Sequence, residues 1–266
     1  VQTDGMTDNR LLLMSAGATA QMPSHYISDE VRNSWFGMLN YSFADRYFVD
    51  LSIRRDGSSL FGKNNRWATF GAAAFMWDIT KESFMKNTRS WLNDLQAKIS
   101  YGSTGNSGIS AYKALGLVAS GPLYNGQSGT AIANPSNPDL TWETVKTFNI
   151  ALSGKVLNRI DFDFEYYNKT TSNMLMEMPY SYTTGFSSGW GNIAEMYNRG
   201  FDFNIGVDII KNKDWYWSVR VNGNYNKNRI TKLLNDADSY TTSDGLRLEV
   251  GHSYGDFYGV RWSHVD

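Results

Sequence analysis

The residues best placed to do chemistry are three carboxylates, Asp161, Asp163 and Glu165, two apart in the run IDFDFEYY. On an extended strand they share one face with neighbours ~6.5–7 Å apart, a separation open to the general acid and base of a glycosidase. Carboxylates repeated on the wet face of a strand are equally what solvation asks for, and the chain is read as no enzyme. The three histidines, His25, His252 and His264, lie far apart and show no metal-ligand spacing. The sequence has no cysteine, which removes disulfides, thiolate metal sites and cysteine nucleophiles together. It shows no nucleophile elbow, phosphate-binding loop or zinc-binding helix motif. Catalytic, cofactor and metal residues are therefore expected to be none, and substrate-contacting residues are left unassigned. The better binding candidates are loops: residues 103–139, rich in Gly, Ser, Asn and Tyr, and the segment holding Trp190, whose indole could stack on a ligand or pack. Gly57, Gly102 and Gly200 read as turn and strand-packing positions rather than ligand contacts.

The elements that must carry these residues are strands. Apolar residues make up 41% of the 266, charged residues 19% and aromatics 15%, so aromatic and small polar side chains stand where a soluble domain carries charge. Alternation with period two recurs. Trp35, Gly37, Leu39, Tyr41 and Phe43 lie on one face against Phe36, Met38, Asn40 and Ser42; Ile160, Phe162, Phe164 and Tyr166 lie against Asp161, Asp163, Glu165 and Tyr167. Similar patterns mark residues 47–54, 95–101, 201–207 and 215–225. These apolar faces carry no charge, aromatics gather near the strand ends, and the runs approach the ~9–11 residues a tilted strand needs to cross a bilayer. The longest apolar run, residues 70–77, is far too short for a membrane helix. A net charge of −1 without a basic stripe argues against nucleic acid as a partner.

Connections alternate short and long. Tight turns are expected at 44–46, 155–158 and 210–214, long polar loops at 55–65, 103–142, 169–199 and 226–245, and helix in part of 78–91. A weak strand at 11–20 and a final strand-like run at 246–260 complete roughly ten long strands. The pattern predicts an all-β, antiparallel up-and-down meander, an incomplete segment of a large transmembrane β-barrel, with residues 1–266 as one partial barrel domain. Short turns on one side and long loops on the other are the habit of outer-membrane barrels.

Several strings resemble the barrel of SusC/RagA-type TonB-linked outer-membrane transporters. The most specific is the run from Arg55 to Trp67, RDGSSLFGKNNRW, although family members usually have a basic residue where Leu60 stands. Others are YGSTGN at 101–106, NPDLTWE at 137–143, Asp163 to Thr171 with its YYNK string, Gly185-Phe186, Asn192, NRGF at 198–201, and Gly251 with GDFYG at 255–259. The resemblance implies a 22-stranded barrel around an N-terminal plug, a TonB-contacting segment and a SusD-like surface lipoprotein lid. It also implies import of oligosaccharides or peptides across a bacterial outer membrane. The sequence starts at Val1 with no leader and shows no plug, TonB-contacting segment or final strand, so it is read as the middle of the barrel. Two other readings stay open: a soluble carbohydrate-binding β-sandwich, and a passive porin-like barrel.

Overall fold

The computed structural model describes residues 2–6, 17–21, 27–242, 245–259 and 262. The chain divides into two compact units, residues 1–30 and 31–266. In the first, β1 (Gln2–Met6) pairs antiparallel with β2 (Gly17–Gln21). The strand expected at 11–20 is thus represented by β2, while residues 11–16 lie outside the described residues.

The second unit is built on one eight-stranded antiparallel sheet. Its strands are β3 (Arg32–Phe43), β4 (Tyr47–Ser58), β5 (Trp67–Asp78) and β6 (Leu92–Asn106). After an inserted hairpin of β7 (Val118–Tyr124) and β8 (Gln127–Ile132), the sheet continues with β9 (Glu143–Val156), β10 (Ile160–Pro179), β11 (Ser188–Lys211) and β12 (Tyr216–Leu233). The spatial order β12-β11-β10-β9-β6-β5-β4-β3 is a meander. A small ribbon of β13 (Ser239–Thr241) and β14 (Arg247–Glu249) follows β12.

Cross-strand partners must share a face, so the register carries the alternation across the sheet. One row runs Tyr41, Val49, Phe75, Ile99, Ile150, Tyr166, Phe201 and Tyr225 through all eight strands. The row beside it runs Phe43, Tyr47, Trp77, Ala97, Leu152, Phe164, Phe203 and Gly223. Neither row contains a charge. On β3 the apolar window spans residues 35–43 and the Tyr41 row lies near its short-turn end. On β12 the window spans residues 217–225 and the same row lies at its long-loop end. The row climbs because the strands are tilted and staggered, the shear by which a sheet closes into a barrel. Many of these side chains, Tyr41, Ile53, Ile150 and Val221 among them, are exposed, and no second sheet covers them among the described residues. A soluble sandwich would bury that face.

The two ends differ as the pattern predicts. At the short-turn end, Ala44 and Asp45, then Leu157 and Asn158, occupy left-handed backbone, closed by hydrogen bonds from Arg46 N to Phe43 O and from Arg159 N to Val156 O, both 3.1 Å. Two successive positive φ values match the hairpin turn whose twist agrees with that of the strands.

Several expected loops are instead strand. β10 runs on to Pro179 and β11 begins at Ser188, so the 169–199 loop contracts to residues 180–187. β12 likewise continues past Tyr225 to Leu233. These extensions rise beyond the apolar window, where both faces are wet or packed under loops, so the alternation by which strands were recognised disappears while backbone pairing persists. Register shifts between Thr171 and Leu175, with Asn173 at φ 55°, further scramble the period. Residues 103–106 belong to β6, and the long loop after it contains the β7–β8 hairpin. The strand expected at 246–260 is only Arg247–Glu249 among described residues, because Gly251 and Gly255 adopt φ of 84° and 90° and turn the chain. Residues 78–91 form 3-10 turns at Ile79–Lys81 and Ser83–Met85.

Those 3-10 turns anchor the short-turn rim. Buried Glu82 accepts from Tyr47 Oη (2.5 Å) and Trp77 Nε1 (3.2 Å), and its other oxygen pairs with Arg46 Nη1 at 2.9 Å. One carboxylate thus holds the polar tips of two girdle aromatics. The Tyr47 hydrogen bond first, then those of Trp77 and the Arg46 charge, hold the Glu82 carboxyl below its ordinary range against the opposing effect of burial. A depressed carboxylate stabilises the fold above its unfolded pKa of about 4.3, and that contribution is lost as pH falls through the lower folded value.

Two outcomes are expected of the full-length protein in lipid vesicles. Val221→Arg should cost ~2–4 kcal/mol of unfolding free energy, whereas Asn222→Arg, one residue on and facing the other way, should cost little. Glu82→Gln should flatten the loss of thermal stability expected of the unaltered protein below about pH 4.3; identical slopes would show that Glu82 is not the titrating anchor.

Candidate functional site

The face opposite the apolar band is wet. Asp163, Asn204 and Asn222 form one row, Glu165, Asp202 and Asn224 another, and Tyr167, Gly200 and Asn226 a third. Asn224 donates to Asp202, and Tyr167 Oη donates to Asn226 Oδ1 at 3.1 Å. The carboxylates singled out in the sequence therefore sit among amides on a broad polar surface. This face also carries apolar side chains on β3 to β5, including Met38, Phe48 and Met76.

Two concavities lie elsewhere, over β3 to β6 and β9. One, of about 440 Å³, is bordered by Asn40, Asp50, Ser52, Ser100, Thr147 and Asn149 over a floor of Ala72 and Ala74. The next, of about 430 Å³, rises toward the long loops past Arg54, Asp56, Ser103 and Trp142. The floor is low because β5 carries the small run Gly71 to Ala74, and Gly102 lies so close against Ala72 that a Cβ there would approach it to 2.7 Å. The walls are organised: Asn40 Nδ2 donates to Asp50 Oδ1 (2.5 Å), Arg54 Nε pairs with Asp56 Oδ1 (2.6 Å), and Arg54 Nη2 reaches Ser34 Oγ (3.3 Å). Asn149 Oδ1 is buried without a protein donor. Such a trough offers acceptors, donors and both charge signs to a polar, extended molecule, the chemistry of sugar hydroxyls or peptide amides. The sequence carried one usable signal, the run Gly71-Ala72-Ala73-Ala74, which alternation alone reads only as a small-residue strand.

Above the trough the long loops form a packed assembly. Leu60, Phe61, Phe70, Ile109, Ala114, Leu140 and Trp142 make a buried cluster, with Phe61 and Trp142 rings 4.5 Å apart. Trp142 Nε1 donates to Arg66 O at 3.2 Å. The strings at 55–67 and 137–143 dock on each other here. Gly62 N donates to Leu140 O (3.0 Å), while Asn64 and Asn65 side chains donate to Asp139 Oδ1 and O (both 2.9 Å). A Cβ on Gly62 would lie 2.0 Å from Pro138 O, so only glycine permits the approach. Asn192 joins the same assembly: its Oδ1 accepts from Thr141 N (2.9 Å), and its Nδ2 donates to Thr141 O and Asn173 O (both 2.8 Å).

Trp190 packs against this cluster, with Lys113 over its ring and its indole N–H buried without a protein acceptor. The 103–139 segment is thus partly scaffold. Gly57 gives room to the Trp67 ring, and Gly200 to Tyr167 and the Tyr225 carbonyl, as packing positions do. His252 lies 3.7 Å from Asp256 and 3.9 Å from Glu249; His25 and His264 lie outside the described residues.

Gly62→Ala should loosen the assembly. The expected readouts are a stability loss of about 2 kcal/mol or more and faster protease cutting within residues 107–142 of the full-length protein.

With this geometry the chain matches known proteins. Residues 6–265 fit the family described as TonB dependent receptor-like, beta-barrel. TonB-dependent receptor P3 of Formosa agariphila is 33% identical over 264 residues, covering 95% of this chain and 26% of that protein. TonB-dependent receptor SusC of Bacteroides thetaiotaomicron is 34% identical over 230 residues, covering 83% of this chain and 23% of that protein. A solved structure of the RagAB peptide transporter superposes with a TM-score of 0.84 at 36% identity, over 92% of this chain and 28% of that one. The chain therefore spans about a quarter of the length of these relatives. It belongs to the TonB-dependent receptor β-barrel family, and within it to the SusC/RagA type.

Proposed function

We propose that the protein carrying this chain is a TonB-powered importer of the bacterial outer membrane, and that residues 1–266 supply part of one barrel domain: wall and surface loops. Its cargo is an oligosaccharide or a peptide, drawn along the polar face without covalent chemistry. The observation that carries the reading is the two-faced sheet. Apolar cross-strand rows without a charge cover one side, and a trough of amides, hydroxyls and paired charges opens on the other beneath packed loops. Family membership supports a transporter. The relative whose structure is titled a peptide transporter supports peptides as one cargo class, and the resemblance to SusC supports oligosaccharides and a SusD-like surface lipoprotein as partner. The bilayer and TonB complete the partners.

The test uses cells expressing the full-length protein, fractionated and then offered fluorescent oligosaccharides and peptides. Recovery in the outer membrane with TonB-dependent uptake of one cargo class is expected. Ala72→Trp, which fills the trough floor, should cut that uptake by about tenfold while leaving membrane recovery unchanged. A protein recovered soluble and monomeric, or uptake indifferent to TonB, would overturn the reading.

A further inference from the structure

Directly above the aromatic girdle of β11 and β12, the outward face changes abruptly from apolar to basic. Phe201 and Tyr225 are paired and stacked at 5.5 Å. The next outward-facing pair toward the long loops is Arg199 with Lys227, and the one beyond is Tyr197 with Arg229. Arg199, Lys227 and Arg229 are all exposed. Paired residues across a ladder lie ~4.5–5.5 Å apart and successive same-face residues ~7 Å apart, so three cations crowd one patch. Like charges directly opposite each other are destabilising. Among the described residues none of the three forms an ion pair, and the nearest carboxylate along that face of β11, Glu195, is in register with Lys232. Arg199 is positioned by neutral partners only: its Nε donates to Asn168 Oδ1 at 3.0 Å, and its guanidinium lies 4.2 Å from the Tyr197 ring centroid. The row of Arg229 continues through Tyr197 and Thr170 to a fourth exposed cation, Lys146.

We infer that this patch binds the phosphate groups of a phosphorylated outer-leaflet lipid, its acyl chains lying along the apolar band below. The inference rests on the outer-membrane reading above, which puts the long-loop end at the cell surface. Cargo does not explain the patch, since it lies on the face opposite the trough. A guanidinium held flat and a lysine beside it supply the bidentate and point-charge donors a phosphomonoester accepts. Continuity with the girdle places those donors at headgroup height.

The full-length receptor, purified in detergent, is titrated with bis-phosphorylated lipid A, with dephosphorylated lipid A and with inorganic phosphate. Tight binding of the first is expected, weakened at least about tenfold by removing its phosphates or by the combined Arg199→Gln, Lys227→Gln and Arg229→Gln variant. Arg199→Lys with Arg229→Lys should keep most of the affinity, as should Lys213→Gln at the opposite rim. Equal binding by the triple-Gln variant and the unaltered receptor would overturn the inference, as would equal binding of both lipids. Competition by millimolar inorganic phosphate would also overturn it, by making the patch a free-anion site. Heat-modifiable migration and outer-membrane recovery of the triple-Gln variant show that it folds and inserts. A receptor absent from the outer membrane would instead sink the functional reading itself.

Discussion

The structure depends on the hydrogen-bond ladder of its one large sheet. In a medium without water every backbone N–H and C=O must find a partner within the protein, and an antiparallel ladder provides one on each side of each strand. Because ladder partners face the same way, pairing converts the alternation of single strands into two continuous surfaces. A slip of one residue in β10 would put a carboxylate such as Asp163 opposite Leu152 and Phe203 on the apolar face. The register is thus locked by the same hydrophobic contrast that makes the band, and the tilt of the rows follows from the shear.

What happens at the two ends obeys different physics. At the short-turn rim, compact left-handed turns and the Glu82 network hold the girdle aromatics by their polar tips. At the other rim the strands outlast the apolar window, and stability passes to a small aqueous core built around Trp142 and Leu140. That core lets long loops be rigid enough to shape the mouth of the trough, whose walls then need only Asn, Asp, Arg and Ser side chains of ordinary reach.

The polar face and the outward basic patch lie on opposite sides of the same sheet. One side carries neutral amides and paired charges; the other carries unmatched positive charge just beyond the stacked Phe201 and Tyr225. The sheet separates them by a single residue of offset, since Gly200 faces in where Arg199 and Phe201 face out.

By itself the sequence determined the strand-rich class, the two-faced alternation, the tight turns and the family resemblance. Each of these is written in neighbours along the chain: period two, a charge-free face, a short polar break. It did not reveal the true extent of β10, β11 and β12, because above the band the environment is wet or packed on both sides and the alternation fades. Nor did it show why the resembling strings have their composition. Gly62, Asn64, Asp139 and Asn192 are separated by up to 130 positions, and only the fold brings them into one hydrogen-bonded assembly. The trough was equally hidden, since an alanine run becomes a cavity floor only when larger side chains from other strands stand around it. The basic patch needed the register, because Arg199, Lys227 and Arg229 become neighbours only when β11 pairs with β12. Local alternation is a property of adjacent residues, whereas sites are made by residues that the ladder brings together.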